Sequence, residues 1–158
     1  MQMFFSAAAF TLLAASAIHA GTLTLEIGKP EANTEAKNMQ ATLVARVTSC
    51  HEPAKSVVTA TLVRNLDGEL QRTPLKVTQL SSEGFFAVTG AGASAGPAVI
   101  ELSVTNPQFQ NYKPHVLVPV STSGVQWDSV KRFNGGAAPT PEDLKAALAT
   151  QRSARNKS

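Results

Sequence analysis

Between Gly21 and Val120 apolar and polar side chains alternate with a period of two in about seven short runs separated by turn-forming residues, which limits the chain to half-buried strands. Leu23, Leu25 and Ile27 open the series. A polar loop, GKPEANTEAKN, leads to a longer strand near residues 39–49, with Ala41, Leu43, Ala45 and Val47 on one face and Thr42, Val44, Arg46 and Thr48 on the other. The run VVTATLVR (57–64) is rich in β-branched residues, which suit a pleated surface. Asn65-Leu66-Asp67-Gly68 then predicts a hairpin, because glycine accepts positive φ at no steric cost. Its return strand is expected over about 70–80, where Pro74 removes a ladder donor and argues for an edge or a bulge. Further strands are expected at 84–89, 97–105 and 115–120. Pro114 and Pro119 bracket the last and suggest an edge again.

No helical period is visible before residue 140, and parallel strands need crossovers of a dozen or more residues. The fold class that follows is all-β, a single antiparallel β-sandwich of about seven strands. The end of the chain differs in kind. Thr140-Pro141-Glu142-Asp143 reads as an N-cap, a proline at the first helical position and acids in the first turn, predicting a short helix over about 141–150. Leu144 and Leu148 would dock it on the sandwich or on a partner.

Ahead of the strands, MQMFFSAAAFTLLAASAIHA holds no Lys, Arg, Asp or Glu. Its apolar run from Met3 to Ile18 falls short of the roughly 20 residues of a membrane span, and it ends in small residues suited to signal peptidase. Residues 1–20 are therefore expected to be a signal peptide, although the usual basic n-region is missing. Ala15-Ser16-Ala17 and Ile18-His19-Ala20 both fit the cleavage pattern, and the second is favoured. The expected organisation is signal peptide 1–20, sandwich 21–120, and an extension 121–158 carrying the helix and a basic tail. The mature chain, with no transmembrane segment, would be periplasmic or extracellular.

Cleavage near Ala20 would remove three of the seven Phe and two of the three Met. A core so poor in rings must be built from Val, Leu, Ile and Ala, favouring thin sheet-on-sheet packing over a wide pocket. The net charge of +3 resides at the terminus, in Arg152, Arg155 and Lys157, and the body from 21 to 150 is neutral. Nucleic-acid binding needs a basic face with stacking aromatics, which this body lacks.

In the second half, Gly84-Phe85-Phe86-Ala87-Val88, then Gly96-Pro97-Ala98-Val99-Ile100-Glu101-Leu102-Ser103-Val104, then Phe109-Gln110-Asn111-Tyr112-Lys113-Pro114 leading into Val116-Leu117-Val118-Pro119-Val120, resembles transthyretin-like and carboxypeptidase-regulatory-like modules. The resemblance implies an immunoglobulin-like sandwich. It implies no catalytic residues, since such modules bind, space or stabilise.

Several motifs invite chemistry. The loop GAGASAG (90–96) matches both a G-x-S-x-G elbow around Ser94 and a loose dinucleotide fingerprint, yet both need a helix next and Pro97 with a strand follows. A triad order also fails, because His115 precedes Asp128 and no histidine follows. Cys50, alone in an oxidising compartment, is expected to be buried near a strand end, to bridge two chains in a disulfide-linked dimer, or to ligate a metal. Cys50, His51, His115 and Met39 form a soft donor set suited to Cu(I). As a nucleophile Cys50 is disfavoured, since His51 beside it on a strand points to the opposite face. Glu26, Glu101 and Asp128 form no acid/base pair in sequence. Trp127 is expected to pack on the sandwich, with exposure for ligand stacking as the alternative.

The expected function is thus that of an exported, non-enzymatic binding or structural module needing no cofactor, whose partner is a protein or cell-envelope component. The edges near Pro74 and Pro119, or the Trp127-to-helix tail with Leu144 and Leu148, are its candidate surfaces. A periplasmic copper carrier built on Cys50 with His51, His115 or Met39 is the alternative.

Overall fold

The computed structural model describes residues 22–48, 52–91, 96–133 and 135–155. The expected leader, Cys50, His51, Ser94 and the terminal Asn156-Lys157-Ser158 lie outside the described residues. The strands are β1 (Thr24–Gly28), β2 (Leu43–Thr48), β3 (Val57–Leu66), β4 (Glu69–Pro74), β5 (Lys76–Gln79), β6 (Phe85–Thr89), β7 (Ala98–Thr105), β8 (His115–Ser121), β9 (Gly124–Val125) and β10 (Lys131–Phe133), with helices α1 (Thr34–Asn38) and α2 (Pro141–Arg155). They form an all-β sandwich. The first sheet runs β1-β2-β6-β5 and the second β10-β8-β7-β3-β4, with β9 also on β8, and every pairing is antiparallel.

The period of two becomes the interior directly. Leu23, Leu25, Leu43, Ala45 and Val47 of the first sheet meet Val58, Ala60, Leu62, Ile100, Leu102, Val116 and Val118 of the second in one core. At the predicted hairpin, Leu66 pairs with Glu69 across Asp67-Gly68, whose φ values of 52° and 90° give the two left-handed residues of a type I′ turn. The Asn65 side chain steadies it by accepting the Gly68 N–H at 3.0 Å.

The expected return strand over 70–80 is instead two strands. β4 stays on β3 in the second sheet, and after Leu75 the chain enters the first sheet as β5 on β6. Alternation continues through the crossing, so the pattern hides it. Pro74 does lie on an edge, but Pro119 does not. β8 is flanked by β7 on one side and by β10 and β9 on the other. The Pro119 carbonyl accepts Gln126 N–H at 2.9 Å on the β9 side. Because N and C=O of a strand residue point the same way, its nitrogen faces the gap between β10 and β9, and no bond to β7 is lost.

Both outer faces are partly covered. The expected polar loop before β2 contains α1, capped by the Asn33 side chain accepting Ala36 N–H at 3.0 Å. Ala36 seats it on Ala41, Val44, Leu80 and Ala87. Glu35 ties it to the β5–β6 connection by accepting the Ser81 N–H at 2.9 Å and the Ser81 hydroxyl, which holds its carboxyl below the usual range. On the other side α2, longer than expected, lays Leu144 and Leu148 onto Val63, Val99 and Leu117. The stretch after residue 120 is thus built into the second sheet as β9, β10 and its covering helix.

Candidate functional site

Two places gather chemistry-bearing side chains. The first is a polar strip on the outer face of the second sheet, beside the apolar seat of α2. Register sets its rows. Ser103 on β7 stands between Thr59 on β3 and His115 on β8, and in the next row Glu101 stands between Thr61 and Leu117. Phe133 of β10 lies opposite His115 on its other side.

Glu101, with its side chain only 14% exposed, is shared by two bases. Arg72 of β4 donates to its Oε2 at 2.5 Å, and His115 Nδ1 lies 3.7 Å from its Oε1. That second separation is too long for a hydrogen bond. Nδ1 is buried and makes none. Burial, and then the charge of Lys113, push the imidazole pKa below its ordinary value, while Glu101 pulls the other way. His115 is therefore a neutral ring at pH 7 inside a charged surround.

Ser103, His115 and Glu101 supply a nucleophile, a base and an acid in adjacent positions, yet not the geometry of a relay. The Ser103 hydroxyl is bonded to Thr59 Oγ1 at 2.7 Å, no hydrogen bond joins it to His115 among the described residues, and Ser103 itself is buried. Nucleophilic catalysis needs the hydroxyl on its base and open to substrate. Glu101 was visible in the sequence only as an isolated acid. Its place beside His115 depends on cross-strand register, and Arg72 joins them from a third strand.

The second place is an open cleft of about 350 Å³ lined by Lys29, Pro30 and Glu31 after β1, by Ala41 and Thr42 before β2, and by Ser123, Gly124, Val125 and Trp127 around β9. Trp127 begins a single 3₁₀ turn anchored by Ser129 N–H to the Gln126 carbonyl at 3.1 Å. As expected, its ring packs against the core, and it remains partly exposed where it borders the cleft. Lys29 and Glu31 on the rim have no ion-pair partner among the described residues.

The other sequence candidates are separated by the fold. Met39 ends α1 above the outer face of the first sheet, and His115 lies on the outer face of the second. With two sheets about 10 Å apart between them, they cannot share one ion. Among the described residues no three His, Cys, Asp or Glu side chains are placed to hold a metal. Leu144 and Leu148 are buried in the helix–sheet contact, so neither faces outward. No described helix is long and apolar enough to cross a membrane.

Fold and site together define an antiparallel β-sandwich closed by a C-terminal helix, with a cleft bordered by the partly exposed Trp127. Comparison of the chain with protein-family models, with curated proteins and with solved structures returns no match.

Proposed function

We propose that this chain is an exported, non-enzymatic binding module whose contact surface is the Trp127 cleft. The carrying observation is the cleft itself, lined by the only tryptophan of the chain and by two rim charges, Lys29 and Glu31, that have no ion-pair partner among the described residues. Aromatic residues with an apolar body and a polar edge are enriched where proteins meet partners. The other surfaces suggested by the sequence are weaker supports. Pro119 is interior, Leu144 and Leu148 are occupied, and the β4 edge presents outward N–H groups only from Leu70 and Arg72, because Leu75 N–H fixes the alternate set toward β3 and Pro74 has none. The engagement of Ser103 by Thr59 and of Glu101 by Arg72 supports a non-catalytic role for the strip. The resemblance of residues 84–120 to transthyretin-like modules points the same way, toward a protein or cell-envelope partner.

The test is capture from a cell-envelope fraction by the immobilised chain, comparing wild type with Trp127→Ala and with Glu31→Lys, an exposed rim change that leaves the core intact. A discrete component held by wild type and reduced about tenfold by each variant, about 1.4 kcal/mol, supports the cleft. Equal capture by all three, or none by wild type, overturns it.

A further inference from the structure

His115 is the one ionisable side chain among the buried polar residues described. Its surround is unfavourable to a second charge. From β7 it faces Glu101, whose carboxylate Arg72 of β4 already engages. Lys113 lies two residues before it, in the loop that enters β8. On β10, Lys131 and Arg132 precede Phe133, and Lys131 is tied to Asp143 of α2 at 2.6 Å. A proton arriving on the ring therefore meets burial, the charge of Lys113, and one carboxylate that is shared and out of hydrogen-bond reach.

The cheapest relief is to let water reach the ring. β10 is the element that can give, because it is an edge strand of three residues held to β8 by three paired positions, one of them Phe133 against His115. We propose that His115 is an acid-sensitive latch, whose protonation releases β10 from β8 and loosens the attachment of α2 to the second sheet. Two links join the strand to the helix. Lys131 reaches Asp143, and Phe133 packs beside Leu144 and Leu148.

The linkage has a definite sign. With β10 closed the ring takes up a proton less readily than an exposed imidazole, whose pKa is about 6.5. Opening is thus unaffected well above that value and grows as pH falls through it, levelling once the closed form also titrates. At about pH 5 the gain reaches at most about 30-fold, the ratio set by an open-state value 1.5 units higher.

Amide hydrogen exchange on the full chain, corrected for intrinsic rates, reads this opening at His115, Leu117, Lys131 and Phe133, with the β3–β7 amides as internal reference. Opening at these four amides should rise between about pH 7.5 and 5, by no more than about 30-fold, with the reference unchanged, and His115→Gln should abolish the rise. A flat wild-type profile, or the same rise in His115→Gln, overturns the latch. NMR titration of the wild-type imidazole gives a second reading that needs no variant. The ring should titrate in step with the loss of protection, and a ring that titrates while β10 stays protected, or stays neutral while β10 opens, refutes it. Neither measurement involves the Trp127 cleft, so the latch and the binding proposal stand or fall separately.

Discussion

Single positions decide where this sandwich tolerates change, and two glycines show how differently the same backbone feature weighs. Gly68 has φ +90° in the β3–β4 turn, and a Cβ there would meet nothing within 4 Å. Gly84 has φ +78°, and its Cβ would come within 2.7 Å of the Val47 carbonyl oxygen. That approach is structural, since Val47 N–H donates to the Gly84 carbonyl at 2.8 Å and ties the β5–β6 connection to β2. Gly68→Ala should therefore cost only the left-handed strain, about 1–2 kcal/mol. Gly84→Ala adds a backbone clash and should cost more than about 2 kcal/mol. Urea unfolding with equal m-values checks the pair, and equal losses at both sites would contradict the argument. The latch residue teaches a related lesson. His115 was recognisable in the sequence as a candidate ligand, but its partners Glu101 and Arg72 come from two other strands, and only register brings them together.

Helix α2 shows how an element is specified at its end and held by its middle. Thr140 and Asp143 form a reciprocal cap, in which Asp143 N–H donates to Thr140 Oγ1 at 3.1 Å and Thr140 N–H donates to Asp143 Oδ2 at 3.0 Å. The Lys131 side chain and then the Thr140 donors hold the Asp143 carboxyl down at about 2. A depressed carboxylate stabilises the fold above its unfolded value near 3.8, and that contribution is lost as pH falls through about 2. Thr140→Ala should cost about 1 kcal/mol. Asp143→Asn should remove the part of acid unfolding that lies between those two values, seen as a flatter dependence of Tm on pH over that window. An unchanged profile would show that the cap contributes no pH dependence. This cap was legible in the sequence because it is local, as were the strands and the Asp67-Gly68 turn. The five-residue α1 was not, being too short to show a period, and neither was the sheet change at Leu75, because alternation survives it. Pro119 misled for a physical reason, since an interior strand accommodates proline wherever a gap in the neighbouring ladder faces its nitrogen.

At the scale of the molecule, the neutral body and aliphatic core follow from composition, while closure depends on a segment whose pattern looked separate from the sandwich. Without α2, the outer face of the second sheet would present Val63, Val99, Leu117 and the partly buried Leu70 and Phe133 to water. Burial of Leu144 and Leu148 alone contributes about 1.5–3 kcal/mol each, against a total stability of about 5–15 kcal/mol for a domain. Gln151 adds a buried hydrogen bond to the Ala98 carbonyl at 2.6 Å, fixing the register of the helix on β7. Ending the chain before Thr140 should therefore lower Tm by about 10–20 °C, at roughly 2–4 °C per kcal/mol for a chain of this size. It should also create a dye-binding apolar surface while the far-ultraviolet sheet signal persists at low temperature. Leu144→Ala in the full chain should reproduce part of the loss, about 2–4 kcal/mol, without exposing the whole face. If the truncated chain kept the full Tm and bound no dye, the helix would be an appendage. A cooperative loss that scales from the single substitution to the truncation would make it the third layer of the fold.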